Sequence, residues 1–471
     1  MLVNLLKKTA FITLLAALVS SCTRSSVIYG PTHGPFMDVV MDRSKDANPI
    51  ILIPGLGGTK LVDASNGKTA WGSYGHSSYW PSTEKDNQLL ALPLTNRQAV
   101  VKRKQNKVKA VSVVETLKIS LLPFSSFNLA IYATIMKSLK KAGYQPNPYD
   151  KPIPNNDSGM ATPVFEFAYD WRQSNADSAI QLNNFIDEKS KYYKSNNRSK
   201  KEQKFDIICH SMGCLVARYY LRYGDQGLGT SESTPELDWR GSDQIENIIM
   251  VAPPNKGSIE ALSNLLNGYE FNHIKWLKYP AAVLGTMPSM YELLPRPDIS
   301  LAVDQTGQDI DLMDPKLWQS MNWGILNPNQ ANILAQIAPS GSTNQEANSL
   351  AVETQESLLR KAKLFHSRLD QKSKSPDHLR FYLFAGVGTL TESNVRVNRN
   401  EKSISFLNAK SGDGKVLRAS AYAIEDAMLP DMGPIVEWNN ATFFLSNHLN
   451  LVKNNDFFVN LYDILMWREL L

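Results

Sequence analysis

Phe205-Asp206-Ile207-Ile208-Cys209-His210-Ser211-Met212-Gly213-Cys214 is the stretch that decides the fold of this chain. An apolar run of strand length leads to a serine and then to residues that open a helix, which is the pattern of a nucleophile elbow. Such an elbow lifts a serine hydroxyl above the end of a parallel sheet and holds the serine in a strained backbone conformation. The residues two positions away on either side are then pressed together, so they must be small. Gly213 meets that need, and Cys209, standing where glycine is commonest, is small enough to be tolerated. Cys209 and Cys214 flank the elbow at strand end and helix start, where their Cβ atoms are expected to point apart. They read as buried thiols used for packing, not as a disulfide. Two cysteines beside a serine also make a poor metal set, and neither a metal nor any other cofactor is expected.

Moving outward, Asn48-Pro49-Ile50-Ile51-Leu52-Ile53 is continuously apolar, as a strand buried on both faces should be, and it ends in the glycine-rich turn Pro54-Gly55-Leu56-Gly57-Gly58. Leu129, Tyr132, Ile135, Met136 and Leu139 repeat at helical spacing, with Gly143 as a cap. Thr162 to Trp171 reads as a strand, and a helix around Leu182, Phe185 and Ile186 leads into the elbow. Further strands are Ile245 to Val251, Leu379 to Val387 and Ala441 to Leu445. Strands alternating with helices predict an α/β fold: a mostly parallel central sheet with helices on both faces and a site beyond the C-terminal strand ends. Two stretches interrupt the alternation and are read as insertions above the sheet. One is a lid at about 62–124, with Trp71, Tyr74, Tyr79 and Trp80 and the basic run Lys102-Arg103-Lys104; the other is a helical cap at about 259–374, with Trp276, Trp318 and Trp323. The polar stretch Ser340-Gly341-Ser342-Thr343-Asn344 reads as a surface loop within the cap.

With 471 residues, 43% of them hydrophobic and 20% charged, the chain is globular and long enough for a large elaborated domain. A net charge of +5 allows a mild attraction to anionic lipid and gives no sign of nucleic acid as a partner. Residues 1–21 read as a signal peptide, with Lys7 and Lys8 before the apolar run from Phe11 to Val19. That run ends in Val19-Ser20-Ser21-Cys22, which looks like a bacterial lipobox, so Cys22 is expected to be acylated and to tie the protein to a membrane through a tether at 22–47. Thr23 after the cysteine, in place of aspartate, resembles outer-membrane sorting in a bacterial cell envelope. The body at 48–471 has no apolar run long enough to span a bilayer.

A serine hydroxyl attacks well only when a histidine takes its proton and a carboxylate orients that histidine. For an elbow fold the chain order is serine, acid, histidine, with the histidine after the last strand. Of His273, His366, His378 and His448, only His448 follows the last strand. For the acid, Asp413 lies between Gly412 and Gly414 in a tight turn, with Glu425, Asp426 and Asp431 as rivals. The tetrahedral intermediate needs backbone donors, which the amides of Met212 and Leu56 are placed to supply. A nucleotide-phosphate loop is excluded at residues 54–58, because the glycine spacing is wrong and no Lys-Ser/Thr follows.

Six islands in order, Pro54 to Leu61, Tyr169-Asp170-Trp171-Arg172, His210-Ser211-Met212-Gly213, Ala252-Pro253 with Gly257-Ser258, Gly412-Asp413-Gly414 and His448-Leu449, together resemble the lecithin:cholesterol acyltransferase family with its lysosomal phospholipase A2 branch. The resemblance implies an α/β-hydrolase fold with a lid, a cap and a Ser211-Asp413-His448 triad. It also implies cleavage of a phospholipid acyl ester through an acyl-serine, the acyl group passing to water or to a sterol or other lipid alcohol. It makes Trp71 to Trp80 a candidate interfacial surface. The lid lacks the cysteine pair of animal members, and Lys415 stands where threonine is usual. Two other readings compete: an esterase or lipase of the same fold acting on neutral or soluble esters, and a non-catalytic lipid-binding lipoprotein.

Overall fold

The structure, a computed structural model, describes residues 47–94, 107–122, 125–147, 162–195, 204–270, 277–423 and 435–466. The signal peptide, Cys22, the tether, the Lys102-Arg103-Lys104 run, Trp276 and the rival acids Glu425, Asp426 and Asp431 lie outside the described residues.

Seven strands make the central sheet: β1 (Ile50–Ile53), β2 (Tyr144–Asn147), β3 (Thr162–Glu166), β4 (Phe205–His210), β5 (Ile245–Val251), β6 (Arg380–Val387) and β7 (Trp438–Leu445). Their spatial order is β7-β6-β5-β4-β1-β3-β2, and every neighbouring pair is parallel. The four side chains of β1 are fully buried, Ile51 and Ile53 in one apolar cluster and Ile50 and Leu52 in another. Successive strand side chains point to opposite faces, so a strand buried on both sides needs an unbroken apolar run. Burying each such side chain is worth about 1.5–3 kcal/mol.

Four helices cover the two faces: α1 (Ala133–Lys141), α2 (Asn175–Ser195), α3 (Gly213–Tyr223) and α4 (Asn455–Met466). Leu182 and Ile186 of α2 and Leu215 and Tyr219 of α3 join the Ile51 cluster, whereas Ile135, Met136 and Leu139 of α1 and Phe457, Leu461 and Leu465 of α4 join the Ile50 cluster. Helix α1 begins later than its apolar spacing predicts. Leu129 belongs to a strand, Ser125–Ala130, and Tyr132 is the residue that precedes the first helical turn.

Outside the sheet, Thr59–Asp63, Thr69–Trp71 and Val108–Val113 form one three-stranded sheet, and Ser73–Tyr74, Thr116–Leu122 and Ser125–Ala130 form another. Trp71 and Tyr74 are buried there, while Tyr79 and Trp80 are half-buried. The segment from Ile259 to Asp370 is mainly helical and ends in the 27-residue helix Asn344–Asp370. The polar stretch read as a loop supplies that helix with its cap: the Thr343 side chain accepts from the Glu346 amide and the Glu346 side chain accepts from the Thr343 amide. A hairpin of Thr389–Asn398 and Ser403–Gly412, absent from the sequence reading, follows β6 and carries the chain to Asp413.

The expectation of two free thiols is overturned: Cys209 and Cys214 form a disulfide. The chain reverses at Ser211, whose φ is 51°, and folds the start of α3 back over the end of β4. The two Cα atoms are thereby 4.9 Å apart, inside the range a disulfide spans. The elbow itself agrees with the sequence reading; what differs is the direction of the two Cβ atoms, which the folded-back start of α3 brings together instead of apart.

Candidate functional site

The elbow is built by close backbone packing. A Cβ added to Gly213 would lie 2.4 Å from the Pro54 carbonyl oxygen and 2.7 Å from that of Ile53. One added to Gly55 would lie 2.8 Å from Ser211 Cβ. The absence of side chains at both places lets the turn after β1 and the elbow after β4 approach each other at the C-terminal rim of the sheet. The Ser211 amide donates to the Val251 carbonyl at 2.8 Å, which pins the turn to β5 as well.

Three groups distant in sequence meet at this rim. Ser211 Oγ is 2.9 Å from His448 Nε2, and His448 Nδ1 is 2.8 Å from Asp413 Oδ2. Asp413 Oδ1 accepts from the amides of Lys415 at 3.0 Å and Val416 at 2.8 Å, and the His448 amide donates to the Asp413 carbonyl at 3.0 Å. Burial works to raise the Asp413 carboxyl, but His448 and the two amides outweigh it and hold the group below its ordinary range. An ionised Asp413 keeps the proton on Nδ1 and leaves Nε2 free to accept from Ser211.

The donors read from the sequence are available. Neither the Leu56 nor the Met212 amide donates to any group among the described residues, and Leu56 lies in the wall of the cavity that holds Ser211. The turn that carries Leu56 is held from all sides. Gly58 N donates to the Gly55 carbonyl at 2.9 Å, Trp71 Nε1 to the Gly57 carbonyl at 2.6 Å, and Tyr169 Oη to the Pro54 carbonyl at 2.9 Å. The Tyr-Asp-Trp-Arg segment thus gains a physical role. Trp171 Nε1 donates to the Thr59 carbonyl, and the buried Arg172 pairs with Asp170 and donates to the carbonyls of Leu89 and Leu90.

Two functional residues escaped the sequence reading. Tyr132 Oη accepts from the Gly55 amide at 2.8 Å and donates to His210 Nδ1 at 2.9 Å, while His210 Nε2 faces the His448 carbonyl at 3.4 Å. This buried bridge joins the turn after β1 to the loop that carries His448. The signal was half visible: His210 lies inside the elbow motif, but Tyr132 is 78 residues away.

Burial, aided by nearby His448, pushes the His210 imidazole from 6.5 down to about 3. A histidine whose folded-state pKa is depressed contributes its full stability above its unfolded value. That contribution is lost as pH falls from about 6.5 toward about 3, because only the unfolded chain takes up the proton. Urea unfolding at pH 7 and pH 4 should therefore show a smaller acid loss in His210→Asn than in the wild type, by on the order of 3 kcal/mol. Equal losses in the two proteins would mean that the buried imidazole does not titrate as argued.

Above Ser211 and His448 opens an apolar cavity with walls that include Trp71, Leu90, Tyr279, Met287, Met290 and Leu293. A serine hydroxyl in contact with an imidazole, with the turn that carries Leu56 in the wall of the same apolar cavity, can carry out acyl transfer on an ester with a hydrophobic chain.

A family model described as lecithin:cholesterol acyltransferase matches residues 93–413, more than half of the chain and a span that holds Ser211 and Asp413. Among solved structures, the crystal structure of the Tle4-Tli4 complex superposes with a TM-score of 0.50 at 14% identity, over 89% of this chain and 98% of that one. Lipase 1 from Pelosinus fermentans covers the same shares at 12% identity, with a TM-score of 0.34. At these identities the first likeness speaks for the fold alone, and the second carries no argument. No curated protein matches.

Proposed function

This chain belongs to the lecithin:cholesterol acyltransferase family, of lipid-acting hydrolases and acyltransferases, and from that premise we propose that it cleaves fatty acyl esters of phospholipids through an acyl-serine intermediate. The observation that carries the reading is the pair of short contacts, Ser211 to His448 at 2.9 Å and His448 to Asp413 at 2.8 Å, at the floor of an apolar cavity.

Ser211 Oγ attacks the ester carbonyl carbon while its proton passes to His448 Nε2. Asp413 stabilises the imidazolium so formed. The carbonyl oxygen, now an anion, receives the Leu56 and Met212 amides. The intermediate collapses, the bond to the leaving alkoxide breaks, and His448 returns the proton to that oxygen. The lysolipid leaves, and the fatty acyl group remains as an ester on Ser211. Water or a lipid alcohol, a sterol among the candidates, then gives its proton to His448 and attacks the acyl-serine. That step releases a fatty acid or a new ester and restores Ser211.

The cavity walls support an acyl-chain site, with the segment at about 62–124 acting as lid and that at about 259–374 as cap. The lipobox ending in Cys22 supports a lipid anchor in a bacterial cell envelope, with the body facing its substrate at the outer membrane. Among the described residues no helix is long and apolar enough to cross a membrane.

The test is product analysis on radiolabelled phosphatidylcholine vesicles with and without sterol, with Ser211→Ala as the blank and with washed membranes and soluble extract assayed separately. The reading expects fatty acid release that vanishes in the blank and segregates with the membranes; steryl ester formation would add transfer to a sterol. Equal behaviour of wild type and Ser211→Ala on every ester tried would favour a lipid-binding role without catalysis.

A further inference from the structure

The disulfide closes a loop around the nucleophile. Cys209 and Cys214 are 5 positions apart and enclose His210, Ser211, Met212 and Gly213. One end of this loop is fixed in the sheet, because Cys209 of β4 stands in register with Ile53 of β1 on one side and Met250 of β5 on the other. The other end belongs to the first turn of α3. There the Cys214 amide donates to the Ser211 carbonyl at 3.0 Å, and the Leu215 amide to the Met212 carbonyl at 2.9 Å.

We propose that the Cys209–Cys214 disulfide is a positioning clamp on the nucleophile, holding Ser211 and the Met212 amide in the arrangement that acyl transfer needs. The inference rests on the acyl-serine reading above and names what keeps that serine in place. Ser211 at φ 51° lies in the left-handed region, which side chains avoid, so its surroundings must hold it there. Relaxation toward negative φ would swing the start of α3 away from the end of β4 and turn Met212 with it. The noncovalent contacts at the elbow limit that swing less. The Ser211 amide, bonded to the Val251 carbonyl, holds the strand side. The close approach of Gly213 to the Pro54 and Ile53 carbonyls sets how near α3 can come, not how far it can go. A covalent bond from the sheet to the first turn of α3 supplies that outer limit.

Loop size separates positioning from general stabilisation. Closing so short a loop removes less entropy from the unfolded chain than closing a long one, so the larger share of the effect falls on the folded elbow. Both cysteines are fully buried, and the described wall of the cavity includes neither of them. The clamp therefore touches no substrate and acts only through the backbone of Ser211 and Met212.

Mapping comes first: in the native chain the tryptic peptide Phe205–Arg218, which holds both cysteines, should take up iodoacetamide only after reduction. The double variant Cys209→Ala/Cys214→Ala should then lower kcat on a soluble aryl ester by about 10- to 100-fold, with KM moved by less than about twofold. An alkyl boronic acid, whose adduct on Ser211 places an oxygen at the oxyanion donors, should bind more weakly by a similar factor. Leu461→Ala, which opens a cavity under α4 on the other face of the sheet, reports lost stability alone and should keep both kcat and the boronic acid affinity. If the double variant does not fold, wild type refolded in the reduced state takes its place, and reoxidation should restore kcat. Free thiols in the unreduced peptide, an unmoved kcat without the disulfide, or an equal loss in Leu461→Ala would overturn the clamp while acyl-serine chemistry stands. Failure of both disulfide-free forms to fold would assign the bond to stability and overturn the clamp as well. A wild type that cleaves no ester, with Ser211 unreactive toward the boronic acid, would instead overturn the acyl-serine reading, and the clamp with it.

Discussion

Asp413→Asn is expected to lower kcat by about 10⁴-fold with little change in KM and no loss of fold. The side chain keeps its shape, and an amide oxygen can still accept from the Lys415 and Val416 amides, which now donate to Oδ1. The amide nitrogen would then face His448 Nδ1, donor against donor. The imidazole escapes that clash by carrying its proton on Nε2, where it points at Ser211 Oγ, 2.9 Å away, and cannot accept the serine proton. Burial tightens the constraint, since Asp413 and His448 are only 2% and 6% exposed and water cannot easily restore the tautomer. Steady-state kinetics on one ester, with circular dichroism to verify the fold, decide the matter. A loss below about tenfold would return the acid role to a residue elsewhere in the chain.

The choice of acid between Asp413 and its rivals is open in the sequence for a physical reason. The elbow was legible because its constraints are local: Gly213 beside the Pro54 carbonyl and the left-handed Ser211 are demands that neighbouring residues must meet. Strand β1 was legible because burial on both faces leaves no polar position in Ile50–Ile53. His448 followed from chain order and the place of the last strand. The acid turn is different, since its position depends on the hairpin before it. The inward residues of Thr389–Asn398 are Thr391, Ser393, Val395 and Val397, so half of the buried face is polar and the two-residue apolar rhythm of a strand is blurred. The disulfide was misread because the elbow motif places the two cysteines without fixing where their Cβ atoms point, and with Ser211 at φ 51° the two Cα atoms come to 4.9 Å. The contact of Tyr132 with His210 shows in the sequence only at its His210 end, since Tyr132 reads equally well as one more apolar position on a helix.

Gly213→Ala should be the most damaging substitution of a single small residue at the site, costing more than about 4 kcal/mol of stability and most of the soluble yield. The new Cβ would press on the Pro54 and Ile53 carbonyl oxygens at 2.4 and 2.7 Å, and both are backbone atoms of β1 and its turn. A flexible side chain could swing aside; these atoms cannot, because Pro54 also accepts from Tyr169 Oη and the Ile53 side chain is fully buried. Relief requires α3 to move away from β1, which opens the packing between them and carries the Met212 amide away from Leu56. Any protein that still folds should therefore lose activity beyond its loss of stability, with kcat falling more than KM rises. Gly227→Ala is the control. A Cβ there meets nothing within 4 Å, so thermal unfolding should shift by no more than about 0.5 kcal/mol equivalent. If Gly213→Ala unfolds at the same temperature as the Gly227 control, the elbow is not packed against β1 as described, and the placement of the oxyanion donors goes with it.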